Sequence, residues 1–287
     1  MIYVACPSRY ATGGVEFLHQ VCAELNKYIP TRIWYMEGGA KPQPPEYDIY
    51  DNRHVFEIEP GSRVIYPEIW ASMATQHDII LWESVDNFVS RFGQMELPVG
   101  ILHLTQSEYA RQYVKAFYSE NIIPLTDYIN ADFFEPYEER IRHDYVLFNP
   151  AKGLKFTQRL MDVMPEITFV ALHGLPRHRL INLMRMSKVY IDFGDHPGKD
   201  RLPREAAMCG CCVITGWNGS AAYYEDVGIP DYYKIDRLEE NIGKIKHRIL
   251  EVLDLYPVDD FEEYRETIRS EKARFQEGIR QLAEVIG

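Results

Sequence analysis

Positive charge is short in this chain. Thirty-one Lys and Arg stand against 43 Asp and Glu, leaving a formal net charge of −12. That balance argues against modes that neutralise many phosphates, non-specific nucleic-acid binding above all, and membrane contact is expected to be peripheral at most. Cysteine is also scarce. There are five, an odd number, and three fall in Cys209-Gly-Cys-Cys212. They form no disulfide framework, and a reducing cytoplasm is the expected location. The cluster lacks a second ligand pair at a suitable spacing, so its thiols read as small buried residues rather than a zinc site. No apolar run approaches membrane-spanning length, and the start Met1–Ala5 has no basic region of the signal-peptide kind. A G-x-G-x-x-G fingerprint is missing, which gives a dinucleotide oxidoreductase little support. No Asp-x-Asp is present to hold a metal, and none is expected.

What is present suits a globular α/β protein. Of its 287 residues 46% are hydrophobic and 13% aromatic, enough for one large core or two ordinary ones. Apolar strands recur at Ile2–Cys6, Thr31–Met36, Arg63–Glu68, Asp78–Trp82, Val99–Leu104 and Asn121–Leu125, with helical periodicity after several of them. The pattern restarts at Tyr145–Phe148, Thr168–Leu172, Val189–Ile191 and Cys212–Ile214. Such repetition predicts parallel sheets covered on both faces. The charged stretch Asp127–Arg142 reads as a hinge. Expected domains are 1–135, 136–260 and a set of C-terminal helices, 261–287, that packs back on the first domain.

The chain is organised about residues 189–216. A buried strand leads into a loop with Gly194, Pro197 and Gly198 that carries Lys199, Arg201 and Arg204. Pro203 stands where a helix can start, and Gly210 where it can end. A loop feeding a helix N-terminus beside three cations is built for an anion. Glu205, placed in the first turn, would accept hydroxyls of a sugar or ribose. At the N-terminus, Gly13 and Gly14 open a second helix and let backbone approach a ligand. Lys152 and Lys155 flank the first loop of the second half, and Asn218-Gly-Ser220 forms a further small-residue turn entering a helix. Glu68, at a strand end, could orient an acceptor hydroxyl or serve as base. His103, in a strand, faces either the cleft or the core.

These landmarks, in this order, resemble glycosyltransferase family 4 of the GT-B fold. Gly13-Gly-Val-Glu16 is similar to the family's Gly-Gly-Val loop. Asn130–Pro136 resembles the segment before its inter-domain linker, and Ala151-Lys-Gly153 its Lys-Gly. Leu202-Pro-Arg-Glu-Ala-Ala-Met-Cys-Gly210 resembles its Leu-Pro-x-x-Glu-Ala motif. The family carries two glutamates eight positions apart. Glu205 matches the second, which contacts ribose, whereas Pro197 stands at the first, which touches the donor sugar. Asp195, His196 or Asp200 is left to substitute.

The resemblance implies an α/β fold of two doubly wound Rossmann-like domains facing each other across a cleft. It implies a glycosyltransferase that moves a sugar from a nucleoside diphosphate sugar to the hydroxyl of a glycan or lipid-linked glycan, retaining and metal-independent, with no cofactor beyond the donor. Lys199, Arg201, Arg204, Glu68 and His103 are then the catalytic candidates. Gly13, Gly14, Lys152, Lys155, Glu205 and Ser220 are the donor-binding ones. The competing classes are a GT-B module that binds a nucleotide sugar without transfer, and another sugar-nucleotide enzyme such as an epimerase.

Overall fold

A computed structural model describes residues 1–36, 43–134 and 141–287. They form two compact units, each with its own parallel sheet. The first comprises Met1–Tyr128, Pro197–Lys199 and Glu271–Gly287; the second comprises Ile129–His196 and Asp200–Ser270.

The first unit contains β1 (Ile2–Cys6), α1 (Gly13–Leu25), β2 (Thr31–Tyr35), β3 (His54–Val55), β4 (Arg63–Pro67), β5 (Ile79–Trp82), α2 (Val85–Phe92), β6 (Leu102–Thr105), α3 (Glu108–Phe117) and β7 (Ile122–Pro124). Its seven strands run in the order β3-β2-β1-β4-β5-β6-β7, all parallel. The direction of growth therefore reverses between β1 and β4. Both faces are covered, which is why the strands are apolar throughout rather than alternating. Along β1, Ile2, Val4 and Cys6 join one core cluster while Tyr3 and Ala5 join another.

The second unit contains β8 (His143–Phe148), α4 (Leu154–Val163), β9 (Thr168–Ala171), α5 (Arg177–Arg185), β10 (Ser187–Asp192), α6 (Arg201–Met208), β11 (Cys212–Thr215), α7 (Ile242–Leu255) and α8 (Glu262–Arg269). The order β11-β10-β8-β9 places a second reversal between β8 and β10. Cys209, Cys211 and Cys212 are buried here. Burial pushes the Cys209 and Cys211 thiols up to about 12, so both are protonated at neutral pH.

The domain limits differ from those expected. The first change of unit falls at Tyr128/Ile129, while the expected limit at 135/136 lies outside the described residues, as do Pro136 and part of the hinge stretch. The C-terminal helices divide. α8 stays with the second unit, and α9 (Glu271–Ile286) packs in the first, where Phe275, Ile279 and Leu282 join the core. Gly278 permits that approach, since a Cβ there would stand 2.9 Å from the Pro124 carbonyl oxygen. α6 starts at Arg201, so Pro203 is its third residue; early helical N–H groups have no intrahelical acceptor, and proline costs little there. After Asn218 only a short 3-10 turn forms, Gly219–Ala222.

Candidate functional site

In an open parallel sheet, ligands bind beyond the carboxyl ends of the strands where the order reverses. In the second unit that point lies between β8 and β10, and the loops at 149–153 and 193–200 leave it. They meet backbone to backbone. Gly153 has φ +62°, and a Cβ on it would stand 2.5 Å from the Phe193 carbonyl oxygen. A Cβ on Gly194 would stand 2.7 Å from that of Lys152. The turn after β11 closes on the same loop. Gly219, φ +54°, leaves only 2.1 Å between a would-be Cβ and the His196 carbonyl oxygen, which also accepts from the Ser220 N–H at 2.9 Å.

A buried charge network fixes the 193–200 loop. Asp192, the last residue of β10, accepts from the Tyr190 hydroxyl at 2.8 Å and from the Gly194 N–H at 2.9 Å. His196 is fully buried in the left-handed region, φ +47°. Its Nε2 lies 3.4 Å from Asp192 Oδ1 and its Nδ1 3.2 Å from Asp200 Oδ2. Lys152 Nζ donates to Asp200 Oδ1 at 2.5 Å. Burial opposes the imidazolium, but Asp192 and Asp200 outweigh it and raise its pKa. Burial likewise opposes the Asp200 carboxylate, yet His196 and Lys152 hold its pKa at about 2.

Two carboxylates thus face an ammonium and an imidazole. One ligand atom from each of Asp192, His196 and Asp200 lies within 4.8 Å of the others, a spacing a metal could use. The donor set fits one poorly. Lys152 already occupies Asp200, and a metal would have to displace that ammonium.

Of the sequence-predicted residues, Lys152 and Ser220 are brought to this reversal point with the loops that carry them. Lys155 is exposed in the first turn of α4, and Arg201 is half-buried as the first residue of α6. Three expectations are corrected. Arg204 is fully buried and its Nε donates to the Asp200 carbonyl at 3.2 Å, so it braces the loop from inside. Glu205 lies beyond the first turn of α6 and is 9% exposed, not an open cleft carboxylate. Lys199, 5% exposed, belongs to the first unit, where it pairs with Glu271 Oε1 at 3.0 Å and donates to Thr126 Oγ1 at 2.9 Å. Neighbours that consume its charge leave it unsuited to a phosphate. Asp195, a possible stand-in for the missing glutamate, is paired with Arg237.

In the first unit, Gly13 and Gly14 open α1 behind the Thr12 cap, whose Oγ1 accepts from the Val15 N–H at 3.3 Å. A Cβ on Gly14 would fall 2.2 Å from Glu83 Oε2, so a carboxylate lies against the glycine. Glu68 follows β4, at the reversal point of this sheet, and is buried. Its Oε2 accepts from the Glu83 N–H at 2.8 Å. Burial pushes its pKa up to about 7 against the pull of neighbouring backbone N–H groups. His103 is a packing residue. Its Nδ1 accepts from Trp82 Nε1 at 3.0 Å, and burial holds its pKa down to about 4. Sequence reasoning passed over Asp192 and Glu83; both are acidic residues at the carboxyl end of an apolar parallel strand, which is the signal that marks them.

No family model matches the chain, and no curated protein matches it. Solved structures do. WaaG, a glycosyltransferase involved in lipopolysaccharide biosynthesis, superposes with a TM-score of 0.62 at 11% identity over 100% of this chain and 99% of its own. HepE from Anabaena, solved with UDP and glucose, gives 0.61 at 12% identity over 99% and 98%. A UDP-forming trehalose-phosphate synthase from Burkholderia vietnamiensis gives 0.57 at 11% over 99% and 98%. The likeness shows the fold, the two-domain Rossmann-like architecture of GT-B proteins.

Proposed function

We propose that the protein is a glycosyltransferase that moves a sugar from a nucleoside diphosphate sugar, with UDP as the nucleotide, to an acceptor hydroxyl. The observation that carries this reading is the reversal point of the second sheet. Three glycine-dependent loops meet there, a buried charge network stiffens them, and Lys152 stands beside the starts of α4 and α6. The neighbours of like fold support it: WaaG is named a glycosyltransferase, HepE was solved with UDP and glucose, and the trehalose-phosphate synthase is named as UDP-forming.

The chemistry follows from charge. As the bond from the anomeric carbon to the donor phosphate breaks, negative charge collects on the departing diphosphate. Groups aimed at that charge lower the barrier more than they tighten ground-state binding. Lys152 has three donors and spends one on Asp200, leaving others for a phosphate. Arg201, Lys155 and the helix N–H groups add to it. Ser220 is the donor-side candidate for hydroxyls. Glu68, with its pKa near 7, is suited to exchange a proton with an acceptor hydroxyl near neutrality. Retention of configuration and independence from metal belong to this proposal, and the acceptor is a glycan or lipid-linked glycan.

Calorimetric titration with UDP in the presence of chelator tests it. Saturable binding is expected, weakened about tenfold in Lys152→Ala, the loss of one charge-assisted contact. Absence of binding by any nucleoside diphosphate overturns the reading; binding that disappears only in chelator overturns its metal-free part. A second reading rests on Pro197, which stands where a sugar-contacting glutamate would be: a module that binds nucleotide sugar without transferring it. Stabilisation by UDP-glucose with no turnover across a broad acceptor panel favours that module.

A further inference from the structure

Three adjacent strands of the first sheet, β3, β2 and β1, present one residue each at their carboxyl ends: Phe56 just after β3, Tyr35 at the end of β2, and Arg9 in the loop after β1. The Arg9 guanidinium contacts both rings, its Cζ 4.8 Å from the Tyr35 centroid and 4.6 Å from that of Phe56. Cation–π contact with two rings holds the guanidinium in place, while its N–H groups point outward in its own plane. Nε and Nη2 of Arg9 are buried and have no hydrogen-bond partner among the described residues. Both belong to the same edge, the one that meets a carboxylate or phosphate side-on with two parallel bonds.

A buried, unmatched guanidinium edge is costly and calls for an explanation such as an absent ion. The surroundings are held in place. The Tyr47 hydroxyl accepts from the Thr12 N–H at 2.9 Å and lies 3.2 Å from the Tyr10 carbonyl, tying down the loop that carries Arg9. Trp34 Nε1 donates to the Phe56 carbonyl at 3.2 Å, fixing the other wall.

We propose that Arg9, Tyr35 and Phe56 form a binding site for an anionic group, a carboxylate or a phosphate, carried by the acceptor. The anion docks on the Nε/Nη2 edge and supplies the two missing acceptors. That the anion belongs to an acceptor rests on the transfer reading above; that the site takes an anion does not. Carboxylate and phosphate share this chemistry, and the acceptor is accordingly a uronic-acid-bearing or a phosphorylated sugar rather than a neutral one.

The test titrates the full chain with glucuronate, with glucose 6-phosphate and with glucose, in wild type, Arg9→Gln and Phe56→Leu. Wild type should bind at least one anionic sugar at millimolar concentration and glucose much more weakly; the tighter of the two anions identifies the source. Arg9→Gln should lose about tenfold or more in that affinity. Phe56→Leu, at a position 49% exposed, should keep the fold and weaken binding by loosening that contact. The melting temperature of Arg9→Gln should be unchanged or raised, because it removes unmatched donors; a structural arginine would lower it. Equal affinity of wild type and Arg9→Gln for both anionic sugars, or no saturable binding of either, overturns the site. UDP titrated alongside separates the two proposals: its failure in wild type removes the donor reading and leaves the anion result standing.

Discussion

Lys199 shows how far a side chain's role depends on partners remote in sequence. Its position ahead of a helix start suggested a phosphate ligand, yet its ammonium is spent on Glu271, a carboxylate only 1% exposed. Lys199→Met should therefore remove a cation from a buried carboxylate and cost about 3–5 kcal/mol of stability. Chemical denaturation of Lys199→Met and of Lys199→Met with Glu271→Gln checks it. The double variant should recover part of the loss, and a stable single variant that has lost only UDP affinity would restore the phosphate role. Arg204 follows the same logic. Helix periodicity gave no sign that this guanidinium turns inward to the Asp200 carbonyl.

At the scale of elements, the loop from β10 to α6 depends on a histidine in a conformation that few side chains adopt. The imidazole pKa is raised, so the folded state binds a proton that the unfolded chain releases near its ordinary value of 6.5. The stabilisation is full below that value and fades as pH rises through the higher folded one. Denaturation of the protein from about pH 6 to about pH 9 should show this alkaline decline. His196→Asn should flatten it, because asparagine tolerates positive φ but carries no titrating charge. An unchanged decline would place the titrating group elsewhere. Gly219→Ala should disturb the same loop more severely. The strained φ and the contact with His196 oxygen combine, and a stability loss of about 1–3 kcal/mol is expected from the backbone alone.

For the whole molecule, acid is the weak side of the first unit. Burial, first of all, pushes both His19 and His103 down to about 4, with His54 adding to the effect at His19. The unfolded chain takes up protons at both as pH falls below 6.5, while the folded one does not until about 4, so stability is lost across that window. Urea midpoints measured through this range should drop. His103→Gln, which can still accept from Trp82, should drop less steeply; an identical slope would show that carboxylates alone drive acid unfolding. No helix among the described residues is long and apolar enough to cross a membrane.

Much of the architecture was legible in the sequence because parallel strands buried on both faces leave unbroken apolar runs, and glycine marks the loops between them. Ile2–Cys6 was visible on those grounds, as were β4 and β11, read as Arg63–Glu68 and Cys212–Ile214, and the Gly13-Gly14 and Lys152-Gly153 loops. The GT-B fold was what the family resemblance carried by those landmarks implied, and solved structures of that fold superpose on the chain. Charged side chains were a different matter, since a cation in a sequence carries no sign of what will lie beside it once the chain is folded. Only tertiary structure buried Lys199 against Glu271, turned Arg204 inward and set His196 between two aspartates. It alone divided the C-terminal helices, because helix periodicity shows that an apolar face exists and not which core receives it. It also brought Arg9 onto Tyr35 and Phe56, three residues at or just past the ends of separate strands whose neighbourhood is created by sheet order.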